Sequence, residues 1–196
     1  MKFNFKESID HVCNSIKDTP LRTYNGVRYQ IFEDFFSKDY LKMLQDVNHS
    51  VVKLEGLETQ NEHGRQHRRR VSYAEPVSKN LQVFFHSSKI LNALQDKFNC
   101  DSLKPKTADM WFDYKDYKIT PHIDSAFQMQ LQIYLNDESH PSTAFFDDKD
   151  GEKIYDIVPY KSNAGYCLYN KGPSWHGMTD KVVDGVRKSV FARFVE

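Results

Sequence analysis

The sequence has few cysteines, no surplus of charge and no long apolar run, and each absence removes a class of protein. Cys13, Cys100 and Cys167 are odd in number, widely spaced and without a Cys-x-x-Cys pair, so neither a disulfide framework nor a zinc knuckle organises the chain. A reducing compartment, the cytoplasm, is the expected location. Twenty-seven basic residues balance twenty-seven acidic ones, so no global field draws the chain toward nucleic acid or an anionic membrane. The stretch from Met1 to Val12 is interrupted by charges and no later run reaches membrane-spanning length. Neither a secretory leader nor a membrane anchor is expected. Internal repeats and low-complexity linkers are absent as well.

What is present is 39% hydrophobic and 14% aromatic residues in 196, enough for one sizeable core and short for two. One domain spanning 1–196 is expected. Its texture changes near residue 105, which separates a helical supporting region, 1–105, from a β-core, 106–196. In the first region Glu7 to Lys17 places Ile9, Val12 and Ile16 at helical spacing. Ser37 reads as the N-cap of a helix from Lys38 to Val47, and Asn80 as the cap of a longer one through Phe98. Short strands are predicted at Val27 to Phe32 and Arg70 to Tyr73.

From Thr107 onward aromatic and β-branched runs alternate with turn residues. Strands are predicted at Ala108 to Tyr114, Gln128 to Leu135, Thr143 to Phe146, Lys153 to Val158, Gly165 to Tyr169, Ser174 to Met178 and Arg187 to Val195, with His122 to Asp124 on a short extended piece. Asp150-Gly151 and Asp184-Gly185 are hairpin signals. About eight strands in roughly 90 residues suit an α+β, mainly β, architecture: a double-stranded β-helix, a jelly-roll barrel of cupin-like type whose mouth holds a ligand.

Residues two apart on extended chain point to one side, so His122-Ile-Asp124 can aim an imidazole and a carboxylate at one point. His176, in Gly-Pro-Ser-Trp-His-Gly, follows 52 residues after Asp124 and can supply a third ligand. Two histidines and one carboxylate on one face of an octahedron leave three positions open. A His-x-Asp pair alone is a weak signal, and any one of eight histidines is more often structural. Its weight comes from Arg187-Lys-Ser189, eleven residues after His176, where an arginine fork and a hydroxyl share one face of the last strand and suit a buried carboxylate.

The order His-x-Asp, His, Arg-x-Ser resembles the 2-oxoglutarate- and iron(II)-dependent dioxygenase superfamily over roughly residues 107–196. Thr120-Pro-His-Ile-Asp-Ser125, Ile133-Tyr-Leu-Asn136, Ser174-Trp-His-Gly177 and Val186-Arg-Lys-Ser189 are most similar to its prolyl 4-hydroxylase-like branch. The resemblance implies iron(II) on His122, Asp124 and His176. It also implies O₂ and 2-oxoglutarate as cosubstrates, with the distal carboxylate on Arg187 beside Ser189, and succinate and CO₂ as products. Tyr134 occupies the position whose hydroxyl assists that carboxylate, and Gln132, Tyr114 or Tyr117 are expected nearby, with Trp175 packed beside His176. Halogenating relatives lack the carboxylate, so Asp124 favours hydroxylation. The sequence departs from the branch at Ser142 to Phe146, where a Gly-Gly stretch is usual, and in using arginine where many relatives use lysine.

The expected substrate is a peptidyl side chain; a small molecule or a nucleobase is an alternative, and so is a cupin-like metal or ligand-binding protein without turnover. On the strand from Gln128, residues Gln128, Gln130, Gln132 and Tyr134 share a face, which is either a wall of the site or the wet side of an edge strand. The run from Arg65 to Arg70 is the one concentrated basic patch and allows nucleic-acid contact, although such a run is more often a solvated loop. Asp147 to Glu152 fails the spacing of a calcium loop and reads as a charged turn. His63, His67, His86 and His140 lack partners at ligand spacing, and Cys167 reads as core.

Overall fold

The computed structural model describes residues 4–56, 67–137, 140–179 and 181–196. Two antiparallel sheets face each other, and helices cover the outer side of the larger one. The first half supplies α1 (Phe5–Asp18), β1 (Arg22–Tyr24), β2 (Val27–Phe32), α2 (Lys38–Gln45), β3 (Leu54–Gly56), β4 (Arg68–Val71), α3 (Pro76–Phe85) and α4 (Ser88–Phe98). The second supplies β5 (Lys104–Tyr114), β6 (Met129–Tyr134), β7 (Thr143–Phe146), β8 (Ile154–Val158), β9 (Gly165–Tyr169), β10 (His176–Met178) and β11 (Val186–Val195). All seven strands expected after residue 107 are found, within a few residues of their expected bounds. In the first half β1 and β3 are additional, and the strand expected at Arg70 to Tyr73 is β4. Asn25 and Gly26, both at positive φ, form the two-residue turn between β1 and β2.

Two caps differ from expectation because tertiary partners took the side chains. Asn4 does cap α1, accepting from the Glu7 amide at 3.3 Å. Ser37 makes no capping hydrogen bond; its hydroxyl meets that of Ser8 at 2.8 Å and ties α2 to α1. Asn80 lies inside α3 and accepts from the Tyr40 hydroxyl at 2.8 Å. The single helix expected to run through Phe98 is two, with Pro76 at the start of α3 and a break at His86 and Ser87. The break turns both Phe84 and Phe85 of α3 and Ile90, Leu94 and Phe98 of α4 into one core.

The larger sheet runs β1-β2-β9-β6-β11-β5-β4-β3 and the smaller β10-β7-β8, which a bridge from His122 to His176 extends. The first half thus builds both edges of the larger sheet. Period two then sorts its residues. Met110 and Phe112 of β5, Leu131 and Ile133 of β6, and Val190 and Ala192 of β11 join the helices in a single apolar core. The alternate positions, among them Asp109, Trp111 and Asp113 of β5, Gln130 and Gln132 of β6, and Arg187 and Ser189 of β11, face the smaller sheet, and all are buried. An inner face this polar is costly unless its groups are paired or serve a ligand. Among the described residues no helix is long and apolar enough to cross a membrane.

Candidate metal centre and its cavity

His122 and His176 exchange backbone hydrogen bonds, at 2.9 and 3.0 Å, which sets their rings side by side with centroids 4.5 Å apart. Gly177 makes this approach possible: a Cβ there would lie 2.9 Å from the backbone of Thr120 and Pro121. Asp124 reaches the same point, its two oxygens 3.8 Å from His122 Nε2 and 3.6 Å from His176 Nε2. The three ligand atoms lie within 4.8 Å of one another, the one such grouping found among the described residues.

Each imidazole is oriented by a backbone acceptor. His122 Nδ1 lies 2.9 Å from Thr120 O, and His176 Nδ1 lies 2.9 Å from Ser174 O. A carbonyl can only accept, so Nδ1 carries the proton and Nε2 keeps its lone pair directed at the common point. Two neutral imidazole nitrogens and a carboxylate suit a divalent transition metal, and the residues present therefore fit iron(II). Gln130 Nε2 donates to His176 Nε2 at 2.7 Å, at the place such an ion would take.

The three ligands and Arg187 line one cavity of about 290 Å³. Arg187 is buried, 2% exposed, and donates to Asp113 Oδ2 at 3.2 Å from the neighbouring strand. Burial works against its charge, but Tyr134, Asp113 and Tyr160 around it hold its pKa above the ordinary guanidinium value, so it is always a cation. Asp113 Oδ1 pairs with a second buried arginine, Arg68 Nε, at 2.9 Å, in an ion pair too bent for a linear hydrogen bond. Arg68 also donates to the Tyr117 hydroxyl at 3.1 Å. Arg68, Asp113 and Arg187 stand in register across β4, β5 and β11. Burial raises the Tyr160 and Tyr166 hydroxyls well above the usual tyrosine range, so both are neutral donors.

The glutamine stripe is not a wet edge: β6 lies inside the sheet between β9 and β11, and every residue from Met129 to Tyr134 is buried. Gln132 lines the cavity, donates to Ser189 Oγ at 3.2 Å and accepts from the Tyr166 hydroxyl at 3.2 Å. The Tyr134 hydroxyl donates to Thr143 Oγ1 at 2.5 Å, and its ring lies 5.1 Å from the Arg187 guanidinium. Of the two tyrosines expected near the cosubstrate, Tyr117 lines the cavity. Tyr114 is on the opposite face of β5, as its neighbour Asp113 dictates, and packs 5.7 Å from His49. Trp175 contributes its carbonyl, accepting from Phe146 N at 2.9 Å.

The basic run is the largest surprise. Arg65 and Gln66 lie outside the described residues, but Arg68 and Arg70 belong to β4 and line the cavity in place of forming a solvated loop. Asp109, Trp111, Asp113 and Arg193 were also missed. The available signal was Asp109 and Asp113 in the apolar run of β5, since buried carboxylates demand cationic partners. His63 lies outside the described residues, and His67 is exposed. His86 ends α3 and His140 Nε2 meets Val186 O at 3.1 Å. Asp148 holds the amides of Asp150 and Gly151 in a turn at 3.1 and 2.8 Å.

No known family pattern matches the sequence. No curated protein matches it either. Solved structures do. An oxidoreductase of the 2OG-Fe(II) oxygenase family from Burkholderia pseudomallei matches with a TM-score of 0.62 at 11% identity, over 100% of this chain and 91% of its own. HygX from Streptomyces hygroscopicus, solved with nickel and 2-oxoglutarate bound, gives 0.62 at 12% identity over 85% and 82%. A prolyl hydroxylase from Trichoplax adhaerens, solved with a peptide fragment of the hypoxia inducible factor oxygen degradation domain, gives 0.65 at 9% identity over 95% and 88%. The chain has the fold of the 2-oxoglutarate- and iron(II)-dependent oxygenases, the double-stranded β-helix.

Proposed function

We propose that this protein is an iron(II)- and 2-oxoglutarate-dependent dioxygenase that hydroxylates a C–H bond, with a peptidyl side chain as the first substrate class to test. One observation carries the reading: the three ligand side chains and a buried, permanently charged arginine line the same small cavity. A cupin-like metal binder without turnover has no use for that arginine. When bound, iron(II) with 2-oxoglutarate and O₂ supplies the oxidising chemistry, releasing succinate and CO₂ and delivering oxygen to the substrate.

The chain's own residues supply place and orientation. His122, Asp124 and His176 would hold the metal, their tautomers set by Thr120 O and Ser174 O. Arg187 would take the distal carboxylate of the cosubstrate, with the Ser189 hydroxyl beside it and Tyr134 packing on the guanidinium. Gln132 would act through Ser189, whose hydroxyl it holds. Trp111, Tyr117, Phe127, Tyr166 and Phe191 line the cavity, and such aromatic walls lower the local dielectric, which strengthens charge contacts inside.

The test is anaerobic addition of iron(II) and 2-oxoglutarate. The expected result is a weak visible charge-transfer band in the parent that is lost in Asp124→Ala and Arg187→Ala. A parent without the band overturns the assignment. Succinate release stimulated by peptides, small molecules or nucleotides then identifies the substrate class.

A further inference from the structure

We infer that Arg68 is a positioning residue for the cosubstrate: it takes up the charge of Asp113, so that Arg187 meets the distal carboxylate of 2-oxoglutarate as an uncompensated cation. That 2-oxoglutarate is the ligand rests on the oxygenase reading above.

Arg187 by itself faces an obstacle. It is buried and donates to Asp113 Oδ2 at 3.2 Å, and Asp113 is fully buried as well. A guanidinium matched one-to-one with a buried carboxylate has no net charge. A second carboxylate brought to such a pair is attracted by the cation and repelled by the first carboxylate, and a dry cavity screens neither. Asp113 orients the Arg187 fork, but its charge opposes the ligand that the fork is there to hold.

Arg68 removes the obstacle. Its Nε lies 2.9 Å from Asp113 Oδ1, the oxygen that Arg187 leaves. Among the described residues no third cation is in ion-pair contact with Asp113, so the three groups sum to one positive charge. One carboxylate on Arg187 brings that sum to zero. Arg70 and Arg193 belong elsewhere: they gather about Asp109, four residues along β5, and Arg70 also pairs with Glu55. Arg187 also retains a place for the ligand, since it lines the cavity and its Nε has no acceptor among the described residues. A buried donor left without an acceptor is costly, and a ligand oxygen satisfies it.

The backbone fixes the arrangement. Arg68 of β4 and Arg187 of β11 are both cross-strand partners of Asp113 in β5, and side chains opposite one another lie on one face of the sheet. Arg68 is then held from two further sides. Its Nη1 donates to the Tyr117 hydroxyl at 3.1 Å, and its guanidinium lies 4.6 Å from the centre of the Trp111 ring. Replacing a buried ion pair by apolar side chains of similar volume is often neutral or stabilising, so the fold alone gains little from Arg68 and Asp113. Their use lies with the ligand.

The experiment is calorimetric titration of the zinc(II)-loaded chain with 2-oxoglutarate and with oxalate, which chelates a metal through both its carboxylates and leaves none for Arg187. Arg68→Gln is expected to weaken 2-oxoglutarate about tenfold or more, and Arg68→Lys, which keeps the charge, by less. Adding Asp113→Asn to Arg68→Gln removes one charge of each sign and is expected to return the affinity to within about threefold of the parent. Oxalate should bind the parent and all three variants alike. A merely structural Arg68 predicts the opposite for the double variant, which loses more contacts than the single one. Parent-like 2-oxoglutarate binding in Arg68→Gln, equal losses in Arg68→Gln and Arg68→Lys, a double variant no tighter than Arg68→Gln, or matching losses for oxalate overturns the role of Arg68 and leaves the oxygenase reading intact. Should Arg68→Gln not fold, the double variant decides: recovery to within about threefold of the parent supports the role, and a loss of about tenfold overturns it. A parent that does not bind 2-oxoglutarate rejects the oxygenase reading and the role of Arg68 with it.

Discussion

Gln130 Nε2 lies 2.7 Å from His176 Nε2, on the nitrogen that the Ser174 carbonyl leaves available for a metal. An incoming ion must displace this hydrogen bond, whose net worth is about 1 kcal/mol. Gln130→Leu is therefore expected to bind zinc(II) up to roughly fivefold more tightly by calorimetry, since about 1.4 kcal/mol corresponds to tenfold. Weaker binding in that variant would show that the amide supports the metal instead.

Asp113 is fully buried between two guanidiniums, so its charge matters more than its shape. Asp113→Asn leaves Arg68 and Arg187 without their shared anion and is expected to destabilise the fold by about 3–5 kcal/mol. Urea unfolding measures this, and 2-oxoglutarate should restore part of the loss by supplying a carboxylate. A midpoint like the parent's would mean that water reaches the pair.

These two residues show where the sequence was readable and where it was not. The grouping of His122, Asp124 and His176 as candidate ligands was legible because period two within His-x-Asp and the order of the motifs need no knowledge of partners. Arg187 was legible for the same reason. Asp109 and Asp113 acquire meaning only beside Arg68, Arg70 and Arg193, which arrive from strands far away in sequence. The strands of the second half follow from local alternation, whereas the break between α3 and α4 interrupts an apolar pattern that continues across it. Ser37 and Asn80 carried capping chemistry, but Ser8 and Tyr40 claimed their side chains.

Gly177→Ala tests the close approach behind the metal ligands. The added Cβ would meet backbone of Thr120 and Pro121 at 2.9 Å, which cannot yield as a side chain does. Spreading His122 from His176 is expected to cut metal affinity by roughly 10–100-fold, the range seen when the support of a ligand is lost. Zinc(II) titration measures the loss, and affinity within twofold of the parent would sink the idea.

The cysteines should separate by reagent. Burial pushes the Cys167 thiol well above its ordinary pKa, and Cys13 and Cys100 are raised for the same reason while remaining half-buried. The thiolate is the reactive form, so labelling rises with pH. At pH 9 iodoacetamide is expected to modify Cys13 and Cys100 and to spare Cys167 until denaturant is added. Mass spectrometry of the native protein with Cys167 labelled would contradict the burial.

The pairing of β2 with β9, and of β5 with β11, joins segments far apart along the chain: Tyr29 stands opposite Leu168, and Asp113 meets Arg187 across 74 positions. Such distant pairings close slowly, on the scale of milliseconds to seconds. In the finished sheet β4 is covered on its outer side only by the three-residue β3, and Arg68, Arg69 and Arg70 on it discourage pairing with another molecule. Two of these charges, Arg68 and Arg70, also line the cavity, so the strand that serves the site is also the one that guards this margin of the sheet.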